Sequence, residues 1–263
     1  MVYLISTDIS KLDTKILKDI RLGKSFQERA IKFLEINLNT NEIWFPAYNY
    51  DFSQTRVFNP QTEAVQVGAI NSAAVIMPNS IRTLTPIFSY VGFGNILEPT
   101  LKNLYNPFNL GSELEILLNH DATMLFLGTE VNSFTFLHYI EEIKNISYRY
   151  AKSISGQIQI GKQSYNTVVE FKARPKNIYF HYDFLKIEND LKQAGAMRKK
   201  SPFGENKLIK LSDAFEIVSA KIDNDPFYLL DYRTKIYVSA LIDQLGRPLL
   251  ISDFEEKTND YAG

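Results

Sequence analysis

The sequence predicts an α/β fold. Three observations carry that prediction. An apolar run at residues 123–127 ends at Gly128 and is followed by an amphipathic helix over 134–144, the strand–turn–helix step from which α/β sheets are built. Short apolar runs alternate with helical patterns before and after it. The chain has 263 residues, 45% of them hydrophobic, enough to bury a sizeable core.

Composition narrows the function. The formal net charge of −1 argues against a nucleic acid or an anionic membrane as partner. There is no cysteine, so a disulfide framework, a zinc–thiolate site and a cysteine nucleophile are excluded. No run approaches the ~18 apolar residues of a membrane span, and the start MVYLISTDIS lacks a basic n-region. A cytoplasmic protein without a signal peptide is expected.

In chain order, residues 2–5 read as a strand, and Ser6-Thr7-Asp8-Ile9-Ser10 as a polar turn whose free N–H groups suit an anion. Residues 25–34 predict an amphipathic helix capped near Ser25. Residues 42–45 form a strand closed by Pro46, and the aromatic segment 48–52 follows. A turn-rich loop at 58–68 leads to a short helix at 69–76, which Pro78-Asn79 breaks. Residues 87–91 have strand character, and Arg82 beside Thr83 has the chemistry to hold a phosphate. Ser112 caps a helix over 113–119. Residues 157–160, 167–172 and 177–180 predict a small antiparallel β excursion within about 155–182. A helix spans 183–193 and stops at Gly195. The loop 197–200 is basic. A strand at 207–211 leads into a helix over 213–222 capped by Ser212, closed by Asp225-Pro226-Phe227. The tail, about 234–263, turns at Gly246-Arg247-Pro248 and is expected to be peripheral, its end loose. No repeat or linker divides the chain, so 1–263 is expected to be one domain.

The chemistry concentrates after the strand at 123–127. Asn132 and Ser133 offer N-caps. Phe136, Tyr139, Ile140 and Ile143 face the core, while Thr135, His138 and Glu141 recur every three residues and share another face. They stand in the first turns after a strand end, where open α/β sheets place ligands. A histidine one turn from a carboxylate is a general base with its orienting group. The competing reading is a packed or solvated histidine.

With these segments in place, the chain resembles the aminoglycoside 3-N-acetyltransferase family. VYLISTDIS is similar to its opening strand and HSSLS-type loop, and WFPAYNYDF to its MPTFTYDF-type segment. FNPQTEAVQVGAI resembles FDP…TPSxxGAL, and IRTLTPIFSYVGFG resembles RSxHPxxSxAAxG. NPFNLGSELEILL resembles SPFGxGSPxxxLL. LFLGTEVNSFTFLHYIEE resembles LLLGVxxxxNTFLHYxE, and Tyr148-Arg149 a PYR-like element. The likeness runs roughly from residue 2 to 231.

This resemblance implies a single-domain α/β/α sandwich with a mixed central sheet, acetyl-CoA as acetyl donor, no metal, and a small-molecule amine as acceptor. It assigns His138 as base, Glu141 as its orienting group, and Thr135 to the thioester. It places CoA on Thr7, Asp8, Ile9, Arg82, Thr83 and Ser89, with Arg82 as diphosphate partner. A homo-oligomer is compatible with it. The chain departs from the family at Ser6 and Thr85, each in place of a histidine, and at Glu63-Ala64-Val65 in place of TPS. These changes touch the CoA and acceptor sites, and the RTxxPIxS pattern with the longer tail resembles members associated with surface-polysaccharide synthesis, so the expected acceptor is an amino sugar, either a surface-polysaccharide precursor or an aminoglycoside.

Two other classes remain open on the residues. The lost histidines fit a catalytically impaired member that binds CoA or a partner protein. A metal hydrolase using His138 with His120 or His181 is the third, although catalytic zinc takes three protein ligands and HxxE supplies only two.

Overall fold

The computed structural model describes residues 1–12, 26–198 and 206–255. The expected cap at Ser25, Lys199-Lys200 of the basic loop and the loose end after residue 255 lie outside the described residues. The strands are β1 (Tyr3–Thr7), β2 (Ile43–Pro46), β3 (Val57–Phe58), β4 (Ile81–Arg82), β5 (Tyr90–Phe93), β6 (Leu104–Tyr105), β7 (Thr123–Leu127), β8 (Tyr150–Ile160), β9 (Gln163–Ala173) and β10 (Lys207–Lys210). The helices longer than one turn are α1 (Phe26–Leu38), α2 (Ala69–Val75), α3 (Glu113–Asn119), α4 (Phe136–Ile143), α5 (Phe184–Gln193), α6 (Leu211–Asn224) and α7 (Tyr232–Leu245).

Six strands make the central sheet in the order β10–β7–β1–β2–β5–β4. β1 runs parallel to both β2 and β7, while β10, β5 and β4 pair antiparallel, so the sheet is mixed. Side-chain alternation splits its faces cleanly. Leu4, Trp44, Met124 and Phe126 join the larger core with residues of α3 to α7. Tyr3, Ile5, Ile43, Phe45, Leu125 and Leu127 join a second core with Ala30, Ile31 and Leu34 of α1 and Ile70 and Ala74 of α2. A near-continuous apolar strand such as TMLFL is what a sheet covered on both faces demands. The expected α/β/α sandwich is therefore present.

Several boundaries differ from expectation. β1 runs on through Ser6 and Thr7, because both pair with β7. The β excursion is longer and is not purely antiparallel. β8 and β9 form a full-length antiparallel hairpin, but β3 and β6 add to its edges in parallel, giving a four-stranded sheet β3–β8–β9–β6. Residues 177–180 form no strand. Ser212 does not cap α6, whose N-cap is Lys210; its hydroxyl donates instead to Asp121 Oδ1 at 2.9 Å. Ser112 does cap α3, accepting from the Glu115 N–H. The segment after residue 231 packs into the larger core through Val238 and Leu249.

One glycine has a requirement no other residue meets. Gly128, at the exit of β7, has φ +74°, and a Cβ there would stand 2.3 Å from the Asp8 carbonyl oxygen. Any side chain at this position would push the loop after β1 away from the loop after β7.

Candidate active site

The C-terminal ends of β1, β2 and β7 lie together because the three strands are parallel. A cleft of about 880 Å³ opens above them. Its floor includes Ser6 and Thr7 of β1, Pro46 of β2 and Thr129 beyond β7. Its walls are Asp8 to Ser10, Tyr48 and Tyr50, Val67 to Asn71 where α2 begins, and Asn132, Ser133, Thr135 and His138. This is the crevice in which α/β sheets bind ligands. Thr7 Oγ1 donates to Asn71 Oδ1 at 2.9 Å, and Asn71 Nδ2 donates to the Pro46 carbonyl at 2.9 Å, tying the three walls together.

α4 carries the His138–Glu141 pair. Its start differs from expectation: Val131–Ser133 form a separate 3₁₀ turn, so neither Asn132 nor Ser133 caps α4, and the N-cap position falls to Thr135. Thr135 makes no capping bond, which leaves its hydroxyl to the cleft wall. His138 stands one turn further on, with about 30% of its side chain open. Its Nδ1 is 2.8 Å from Glu141 Oε2.

Glu141 is buried beneath it, only 1% exposed. Tyr148 and Tyr182 donate their hydroxyls to its Oε1 at 2.9 and 2.5 Å. Arg149 Nε lies 2.9 Å from its Oε2, an ion pair without the alignment of a hydrogen bond. Arg149 also donates to the Tyr182 hydroxyl. Burial pushes the Glu141 carboxyl up, but the charge of Arg149 and the bonds from His138 and Tyr182 overcome it and hold its pKa at about 2. The carboxylate is thus ionised and can only accept, so His138 carries its hydrogen on Nδ1 and its lone pair on Nε2. Arg149 Nη2 comes within 3.3 Å of the same Nδ1. An arginine cannot accept, so that approach is electrostatic. Burial and then the Arg149 charge lower the His138 pKa, and the Glu141 bond does not fully offset them. The imidazole is neutral near pH 7, with a free nitrogen on the ring edge away from Glu141. That arrangement has the chemistry a general base requires, held in one tautomer.

Of the residues expected at the site, Thr135 and His138 line the cleft, and Glu141 holds His138 from beneath. Thr7, Asp8 and Ile9 also line it. The Asp8 carboxylate turns into its own loop, accepting from the Ser10 amide and hydroxyl at 3.1 and 2.6 Å. Arg82, Thr83 and Ser89 do not line it. Arg82 is buried, and its guanidinium donates to Ser89 Oγ at 3.1 Å and to the carbonyls of Ala47, Glu63 and Pro60 at 2.9, 2.7 and 3.3 Å. Its fork is committed to Ser89 and backbone oxygens and is not turned into the cleft for the expected diphosphate contact. Thr83 accepts from the Tyr90 amide at 2.9 Å, and Ser89 donates to Ala47 O at 2.8 Å.

Sequence reasoning missed Tyr182 and Asn71, and gave Arg149 no role. Tyr182 approaches from beyond the β8–β9 hairpin, a juxtaposition that no local spacing reports. Asn71 left a signal: a lone amide in the otherwise small and apolar helix AINSAAV. Among the described residues no group of three histidines or acids gathers to hold a metal, and no helix is long and apolar enough to cross a membrane.

Comparison with known proteins agrees with this geometry. The family model described as aminoglycoside 3-N-acetyltransferase matches residues 35–222. The sequence matches none of the curated proteins searched. Among solved structures, aminoglycoside acetyltransferase AAC(3)-IVa in its apoenzyme form is 17% identical, with TM-score 0.63, 87% of this chain and 83% of that one covered. AAC-IIIb in binary complex with CoASH is 16% identical, TM-score 0.67, covering 85% and 90%. The YokD protein from Bacillus subtilis is 16% identical, TM-score 0.63, covering 86% and 88%. The structural likenesses establish the shared fold, and the family match spans more than half the sequence. The chain therefore belongs to the aminoglycoside 3-N-acetyltransferase family, and its enzymatic class is N-acetyl transfer.

Proposed function

We propose that the protein transfers the acetyl group of acetyl-CoA to the amine of an amino sugar. The observation that carries this is the neutral His138 held by an ionised Glu141 at the mouth of a cleft large enough for two substrates. The relative bound to CoASH supports the donor, and relatives solved with gentamicin and with apramycin support an amine acceptor. Acetyl-CoA supplies an activated acyl group with a good leaving thiol. The remaining task belongs to the protein. His138 Nε2 takes a proton from the amine as its nitrogen attacks, and returns it to the departing sulfur. Glu141 stabilises the imidazolium that exists between those events, a role it can fill because it is already charged and desolvated. Thr135 faces the acyl oxygen. Thr7, Asp8 and Ile9 line the donor side with backbone groups, while Arg82, Thr83 and Ser89 shape the wall behind Tyr48 rather than touching CoA.

The charge of the cleft supports an acceptor with few positive charges. Among the described residues it is lined by hydroxyls, amides and the faces of Tyr48 and Tyr50, with one acid, Asp8, and no lysine or arginine. A polycationic antibiotic would find little to pair with, whereas a neutral, hydroxyl-rich ring carrying a single amine fits. The test is acetyl-CoA-dependent thiol release with a panel of monoamino sugars, their nucleotide-linked forms and polyamine aminoglycosides. Turnover is expected, with higher kcat/KM for the monoamines. No turnover with any amine overturns the transfer reading, and preference for the polyamines overturns the acceptor assignment.

A further inference from the structure

We infer that Tyr182 is a positioning residue for the His138–Glu141 pair, and that residues 229–234, beyond the end of the family match, hold it in place. The kinetic part of the inference rests on the acetyl-transfer reading. It adds one residue and one chain segment to the site.

Tyr182 does not line the cleft, so it acts through its neighbours. Its hydroxyl meets Glu141 Oε1 at 2.5 Å, Arg149 Nη2, and His138 Nδ1 at 3.4 Å. Arginine cannot accept, and Nδ1 already carries the hydrogen it shares with Glu141. The Tyr182 proton therefore goes to Glu141 Oε1, and the Tyr182 oxygen accepts from Arg149. Arg149 Nε and His138 Nδ1 both meet the other carboxylate oxygen, Oε2. With Oε1 fixed by Tyr182 and Tyr148, the carboxylate cannot turn, and Oε2 stays aimed at the imidazole. The ring is then held in one orientation, with Nε2 towards the reacting amine.

A second set of contacts explains how Tyr182 comes to be there. It pairs with Leu230 in an isolated antiparallel bridge. The Asp183 N–H donates to the Leu229 carbonyl at 2.9 Å, and the Asp231 N–H to the His181 carbonyl at 3.0 Å. The His181 N–H has a side-chain partner, Thr234 Oγ1 at 3.0 Å. Thr234 is fully buried in the first turn of α7, where its own N–H donates to the capping Asp231 Oδ1 at 2.7 Å. Leu229 and Leu230 are anchored in the larger core. The backbone on both sides of Tyr182 is thus bonded to residues 229–234, which fixes where its ring can reach. The family match ends at residue 222. A piece of chain outside that match, running into the tail expected to be peripheral, therefore sets the group that sets Glu141.

The test reads His138 directly. The chain has three histidines, so the imidazole titration can be followed by NMR on the full chain, with His138→Gln assigning the signal. The charged and titratable groups about that ring are Glu141 on its own helix, Arg149 just ahead of β8, and Tyr182; Tyr148 reaches it only through Glu141. Tyr182→Phe takes one donor from Glu141, which leaves the carboxylate a stronger acceptor from the imidazolium. The His138 titration is expected to move to higher pH in that variant, and the acid limb of kcat/KM with it. Lost alignment is expected to lower the plateau kcat by about 10-fold, with both KM values within two-fold. Thr234→Val is expected to do the same more weakly, about 3-fold in kcat. Thr234→Ser keeps the hydroxyl and is expected to restore wild-type behaviour. In the Tyr182→Phe background, Thr234→Val is expected to change neither kcat nor the titration further. Packing damage alone would lower the melting temperature and leave the titration in place. A His138 titration that stays put or falls in Tyr182→Phe, or an unchanged kcat, overturns the positioning role. Effects of Thr234→Val that persist in full in the Tyr182→Phe background overturn the part given to residues 229–234. A wild-type chain inactive on every amine removes the transfer reading alone, since the titration still reports on the pair.

Discussion

Two buried arginines behave in opposite ways in this molecule. Arg82 and Arg149 are 8% and 9% exposed, and each sits near a tyrosine-lined site. Arg149 faces a carboxylate. Burial works against its charge, but Glu141 more than offsets this, and its pKa rises. Arg82 faces carbonyl oxygens. Burial lowers its pKa to about 10, and the charge of the Glu63 carboxylate only partly opposes. One guanidinium sets the electrostatics of the His138–Glu141 pair; the other fastens the segments at 47, 60 and 63 to the β4–β5 hairpin. A buried cation takes its role from the partner that covers it, not from the sequence pattern around it.

The largest expected effect lies on the Arg149 side. His138→Ala removes the base and is expected to reduce kcat by about 10²- to 10⁴-fold, with little change in folding, because the ring is partly open to the cleft. Thiol-release kinetics beside a melting curve would check it. Retention of the wild-type rate would end the assignment of the base.

Next in size is the stability contrast between the two arginines. Arg149→Met leaves Glu141 ionised, buried and unpaired, which costs about 3–5 kcal/mol. Arg82→Met leaves backbone carbonyls short of a donor, at about 1–3 kcal/mol. Urea denaturation of both variants is expected to put the Arg149 variant well below the other. The reverse order would mean that the carbonyl clamp, not the ion pair, dominates this part of the core.

How much of this was legible beforehand follows the same line. The strand at 123–127, the Ser112 cap, the helix expected over 183–193 (Phe184–Gln193 with Asp183 as its cap) and the shared face of Thr135, His138 and Glu141 are local, and periodicity or a cap residue carries them. β3 and β6 are two residues each and exist only because β8 and β9 offer them edges. No propensity encodes that. Ser212 had the right sequence for a cap but found a better partner in Asp121. Arg82 stood beside a threonine in a loop-like stretch, a pattern compatible with a phosphate site; only the fold shows that three carbonyls reach it first. Tyr182 meets Glu141 from 41 positions further along the chain, so its role is tertiary from the start.

The pH dependence sharpens the contrast further. On the proposed mechanism the active base is neutral His138, whose pKa burial and Arg149 hold below 6.5. The rate constant kcat/KM is therefore expected to rise with pH along an acid limb whose midpoint lies below 6.5 and to level off by about pH 7.5. Arg149→Met removes one lowering influence, so the limb should move to higher pH; Arg82→Met should leave it in place. Stability runs on a different group. Glu141 titrates at about 2 when folded against an ordinary 4.5. Its depressed pKa contributes stability that is complete above about 4.5 and is lost as pH falls towards 2. Acid denaturation that begins in that window in the wild type, and earlier in the Arg149 variant, is the expected outcome.

The smallest expected effect is the most pointed test of Arg82. Arg82→Lys keeps the charge but offers a single ammonium where a planar fork served Ser89 and the carbonyls of Ala47, Glu63 and Pro60. Two or more of those bonds are lost, so a destabilisation of about 1–2 kcal/mol is expected. The KM for acetyl-CoA should stay within two-fold of wild type, because the guanidinium lies outside the cleft lining. A diphosphate partner would behave otherwise. Replacing a bidentate phosphate contact with a point charge would raise that KM several-fold while leaving the melting temperature nearly fixed. Initial rates across acetyl-CoA concentrations, set beside a melting curve, tell the two apart, since each role moves the quantity the other leaves still.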